Sequence, residues 1–142
     1  MTPFDALLKI KRQLLQRAQI ALANNHAQIA RTQQEISALR AELEQLGVGA
    51  QGSMDAFLQL NALKHNYRYA LAQLHTQVDR LQEDQARLQE QHRQANLECE
   101  KIAYLQTLQT QARLARLQRL EHKEMDAIST GMFAYKQRSS HA

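Results

Sequence analysis

The side chains best suited to bind a metal or attack a carbonyl group in this 142-residue chain are six histidines and one cysteine. His26, His65, His75, His92, His122 and His141 are scattered, and His65 and His75 lack the i, i+4 spacing that brings two ligands to one helix face. There is no HExxH segment, no glycine-rich phosphate loop and no paired-cysteine metal spacing. Cys99 stands alone, so an internal disulfide is impossible and a reducing compartment fits. No catalytic residue, cofactor site or metal ligand is expected, and the chain reads as a binding protein rather than an enzyme.

The charged residues are more informative. The formal net charge is +4. Residues 1–46 carry six Lys/Arg against four Asp/Glu, residues 53–100 five against seven, and residues 101–142 seven against three. The positive excess therefore sits at the C-terminal end, where Arg113, Arg116 and Arg119 recur at i, i+3 and make a basic strip next to apolar positions. Such a run alone reads as a solvated helix face. Next to apolar surface with no partner in the chain, it reads as a docking site for another protein.

These residues must be carried by long helices. Leu, Ala, Gln, Arg and Glu dominate, Trp is absent, aromatic residues make up 5%, and there is one proline. That composition favours coiled coils over a thick core. No apolar run reaches the roughly 18 residues of a membrane span, and the opening Met-Thr-Pro-Phe-Asp does not read as a secretory signal.

Thr2 is placed to cap a first helix, with Pro3 at its first position and Asp5 completing a capping box. Aliphatic residues then recur every seven positions at Leu8, Leu15, Leu22, Ile29, Ile36 and Leu43. The companion column is Phe4, Lys11, Ala18, Asn25, Thr32, Leu39 and Leu46. Three of the four glycines fall in 47–53, the evident break, and Ser53 can cap a second helix. A second heptad runs through Phe57, Lys64, Leu71, Val78, Gln85, His92 and Cys99, with Leu60, Tyr67, Leu74, Leu81, Leu88, Ala95 and Ile102 beside it.

The strong column is the first in one helix and the second in the other, which fits antiparallel coiled coils, where the first column of one helix commonly faces the second of its partner. The expected fold is all-α: a single coiled-coil hairpin over 1–142, with helix 3–46, loop 47–53, helix 54–130 and a flexible tail 131–142. A short connection favours the register Leu43–Leu60, Ile36–Tyr67, Ile29–Leu74, Leu22–Leu81, Leu15–Leu88 and Leu8–Ala95. In that register the second helix overhangs its partner after about residue 102. The overhang stays amphipathic through Leu105, Leu108, Leu117, Leu120, Met125 and Ile128, and Gly131 is expected to end it.

Three functions suit such a hairpin: a protein-binding stalk or adaptor, a nucleic-acid-binding hairpin, and a prefoldin-type chaperone. Aromatic stacking residues are missing for the second, so no nucleic acid is expected. The seven residues 47–53 are too few for the β-hairpins of the third. Self-association through the overhang is compatible with all three.

The layout, with a shorter first helix, a glycine-bearing break near residue 50, a longer second helix and a charged C-terminal segment, resembles the FliJ family of flagellar export proteins. The segment Leu120-Glu121-His122-Lys123-Glu124-Met125-Asp126 is similar to the Glu-x-Lys-x-hydrophobic-Asp stretch near the end of that family, and Tyr67-Arg68-Tyr69 and the Gln-rich second helix fit. The stalk proteins of virulence-type secretion systems share this style. The resemblance implies a non-enzymatic stalk of the type III export apparatus without cofactors. Its partners would be the hexameric export ATPase, the export gate membrane protein and export chaperones. It would be cytoplasmic, peripheral to the inner membrane at the flagellar base, and needed for motility. It nominates Arg113, Arg116, Arg119, Lys123, Glu124, Met125 and Asp126 as contact residues.

Overall fold

The computed structural model describes residues 2–46 and 52–140. Helix α1 spans Pro3–Gln45 and helix α2 spans Met54–Ser140, and no strand occurs among the described residues. The first helix starts as its sequence dictates. The Asp5 amide donates to Thr2 Oγ1 at 3.3 Å while the Thr2 amide donates to Asp5 Oδ2 at 3.0 Å, a reciprocal capping box with Pro3 just inside it. The Thr2 amide and hydroxyl hold the Asp5 carboxyl below its ordinary pKa, because both interactions favour the charged form. Ser53 caps α2 through its Oγ, which accepts from the Ala56 amide at 3.4 Å. Of the expected connecting segment 47–53, residues 47–51 lie outside the described residues.

The chain divides into two compact units, Lys11–Leu97 (unit 2) and Met1–Ile10 with Glu98–Ala142 (unit 1). In unit 2 both heptad columns of α1 turn inward. Asn25, Ile29, Thr32 and Ile36 are buried and Leu15, Ala18, Leu22, Leu39 and Leu43 half-buried, while nearly every other α1 side chain in the unit is exposed. From α2, Val78 is buried and Tyr67, Leu71, Leu74, Leu81, Gln85 and Leu88 are half-buried. No side chain among the described residues is fully enclosed. This is a core one side chain thick, as two helices alone must make.

Polar core residues are partly satisfied. Thr32 donates to the Gln28 carbonyl of its own helix at 2.8 Å, and Asn25 Nδ2 donates across the seam to the Leu81 carbonyl at 3.1 Å. Asn25 Oδ1 is buried without a partner.

The cross-helix bonds of unit 2 correct the expected register. Asn25 bonds Leu81, Glu42 bonds Tyr67, His26 bonds Gln85 and Arg40 bonds His75. The residue numbers in these pairs total 106, 109, 111 and 115, centred near 110, whereas the short-connection register requires 103. The helices are therefore shifted by one heptad. Ile36 lies level with Leu74, Ile29 with Leu81 and Leu22 with Leu88. The shift sets Asn25 level with Gln85 and within reach of the Leu81 carbonyl, and moves Lys64 from opposite Leu39 to the end of α1 near Leu46. What it gives up is Phe57, which stays 57% exposed at the start of α2.

Unit 1 shows the same correction at the other end. Asp5 accepts from the Gln106 side chain, Leu8 and Ile102 are each more than nine-tenths buried, and partial burial persists to Gln109. The paired part of α2 thus ends near 109, not at 102. Nor does Gly131 end the helix, and the tail expected from 131 is helical to Ser140. A glycine stops a helix when the chain turns there, and residues 132–138 are ordinary helix formers with no proline to force a turn.

Candidate partner-binding surface

Beyond Gln109 the α2 helix of unit 1 has no packing partner among the described residues, and every side chain from Thr110 to Ser139 is exposed. All seven residues nominated as contacts lie in this stretch. At 3.6 residues per turn, Arg113, Arg116, Arg119 and Lys123 share about a third of the circumference. Glu124 and Asp126 border that basic face on its two sides. Met125 is separated from it, on the opposite face with Leu114, Leu117, Ile128, Met132 and Tyr135. The nominated residues therefore make a basic face with acidic edges, plus one member of an apolar face.

Two shallow depressions mark these faces. One, of about 510 Å³, is lined by Arg116, Arg119, Leu120, His122 and Lys123. The other, of about 520 Å³, is lined by Ile128, Gly131, Met132, Tyr135 and Lys136. The last four of these residues and Arg138 fall in the segment expected to be a flexible tail. The signal that could have found them is the spacing Met125, Ile128, Met132, Tyr135, which keeps helical period through the glycine. In unit 2 an open trough of about 660 Å³ runs beside Glu35, Leu39, Tyr69, Gln73 and Arg80.

Two pairs elsewhere hold each other by charge. Tyr67 donates to Glu42 at 3.0 Å, and that bond to a carboxylate raises the phenol pKa. Arg93 grips Glu90 with two bonds of 2.9 and 2.5 Å, one turn apart on α2, lowering the carboxyl pKa and raising that of the guanidinium. Among the described residues no group of three or more His, Cys, Asp or Glu is placed to hold a metal, and no helix is long and apolar enough to cross a membrane. Cys99 is buried.

An exposed single helix cannot exclude water from a substrate, but it can offer several cations at once to carboxylates on another protein. The class this defines is an all-α, two-helix coiled-coil protein with an unpaired, basic extension of its longer helix. The family model of the flagellar FliJ protein matches residues 1–138. The chain belongs to the FliJ family, and with it to the flagellar export system. Comparison with curated proteins and with solved structures gives no match.

Proposed function

We propose that this protein is a non-enzymatic stalk of the flagellar type III export apparatus, and that the α2 extension is the part that engages the export ATPase ring. The observation that carries the reading is the exposed stretch from Thr110 to Ser139, helical throughout and carrying six Lys/Arg against three Asp/Glu. Its continuous apolar stripe is covered by nothing among the described residues, and exposed apolar surface of that extent marks an interface. Arg113, Arg116, Arg119 and Lys123 supply the electrostatic contact, with Glu124, Met125 and Asp126 beside them. Contacts with the export gate and with export chaperones belong to the same reading, as does a position at the cytoplasmic face of the inner membrane at the flagellar base, in support of motility.

The test is hydrolysis of ATP by the cognate export ATPase as the protein is titrated in, with hexamer assembly followed by sedimentation. Saturable stimulation is expected. Replacing Arg113, Arg116 and Arg119 together by Glu should abolish it while leaving helicity unchanged. A correctly folded protein that neither stimulates the enzyme nor promotes hexamers would rule out the ring as its partner. Stimulation that survives the triple replacement would place the contact elsewhere.

A further inference from the structure

The apolar face at the end of α2 has a seam the basic face does not explain. Met125, Ile128, Met132 and Tyr135 recur at intervals of three and four, the spacing that lets one helix pack along another. They are 64, 59, 60 and 74% exposed, so nothing among the described residues covers them. Flanking the seam on one side are Glu124, Gly131 and Arg138, spaced by sevens with an acid at one end, a base at the other and the glycine midway. A Cβ placed on Gly131 would meet nothing within 4 Å, so no packing inside the chain requires glycine there, although it is the poorest helix former after proline.

We infer that this seam is a self-complementary interface, in which two copies of the chain pair antiparallel through residues 121–139 about a twofold axis passing beside Gly131. Turning a second copy end for end sets Ile128 against Met132 of its partner and Met125 against Tyr135, each twice by symmetry. On the glycine side Glu124 then faces Arg138, again twice, and Gly131 faces Gly131, where the missing side chains let the two backbones approach. Ser129, also small, faces its own copy across the other side of the axis. Lys136 falls opposite His122. A parallel pairing is disfavoured by the same residues, because it sets Glu121 against Glu121 at a core position at one end of the seam and leaves Glu124 without its base. Charge complementarity thus selects both the occupant, a second copy, and its direction. The inference rests on different residues from the cations of the export reading, Arg113, Arg116, Arg119 and Lys123, which lie on the opposite face, although Glu124 and Met125 belong to both.

Sedimentation equilibrium of the full chain tests it. The mass should rise with concentration from 16.3 kDa toward twice that value. Glu124→Arg alone and Arg138→Glu alone should each weaken association on the order of tenfold, since the symmetry breaks two charge pairs at once. The double variant, with the charges exchanged, should restore it. Gly131→Leu should raise helicity yet weaken association, opposite signs that a merely structural role for the position would not produce. A chain that stays at 16.3 kDa at every concentration overturns the inference and leaves the seam to a different protein. A dimer indifferent to both single reversals and to Gly131→Leu overturns it too, because its interface lies elsewhere.

Discussion

Asn25 is the side chain whose chemistry fits its surroundings least comfortably. It is 5% exposed in the seam between Leu22 and Ile29, its amide nitrogen satisfied by the Leu81 carbonyl and its oxygen by nothing. A buried acceptor without a donor costs about 1–3 kcal/mol. Coiled coils tolerate such a residue because it penalises wrong registers more than the right one. Here its nitrogen reaches the Leu81 carbonyl across the seam, while Gln85, level with it, bonds His26 instead. Asn25→Val should therefore raise the unfolding free energy by about 1 kcal/mol or more in urea titration. A fall in stability would show that the Leu81 bond outweighs the orphaned oxygen. The same accounting explains why Thr32, whose hydroxyl bonds within its own turn, sits in the seam at no comparable cost.

At the scale of the helices, the deciding quantity is the match between two columns of side chains. One register keeps the connection short and the other pairs polar with polar, and they differ by seven residues. Lengthening a connection by a few residues costs only fractions of a kcal/mol, whereas the observed register gives the buried Asn25 amide a partner across the seam and carries the half-buried Lys64 to the end of α1. The longer connection is therefore a small cost beside the polar group it satisfies. Cysteines at Ile36 and Leu74, in a Cys99→Ala background, should cross-link readily within the monomer on mild oxidation, and cysteines at Ile36 and Tyr67 should not. Equal yields, or the reverse preference on non-reducing gels, would restore the shorter connection. The remaining surface pairs, such as Arg87 with Asp84 at 3.6 Å, lie one turn apart on α2 and do nothing to select a register.

For the whole molecule, the boundary that matters is where partial burial stops, at Gln109. Residues beyond it make no contribution to the seam, so their helix is held by local propensity and by continuity with the paired turns before it. A chain ending at Thr110 should lose helicity roughly in proportion to the residues removed and unfold at nearly the same temperature, read by circular dichroism. A large drop in melting temperature would mean that the extension packs against its own chain. Elongating a helix already nucleated is cheap, which is why one glycine at 131 does not interrupt it.

Much of this was legible in the residues alone. The two heptad columns, the capping box of Thr2 and Asp5 and the Ser53 cap depend on neighbours within one or two turns, and local sequence determines them. The likeness of the Glu121–Asp126 segment to the FliJ family, and the basic strip from Arg113 to Lys123, were equally visible, because exposed residues have no tertiary context to override them. The register was not, because pairings one heptad apart bury similar aliphatic residues and differ only in how Lys64, Asn25 and Gln85 are matched across the seam. Nor was the end of α2, since a glycine stops a helix or lies within it according to whether the chain turns beyond it. Those were decided by the tertiary structure, where small differences in polar matching, summed along two helices, choose among arrangements that local sequence leaves nearly equal.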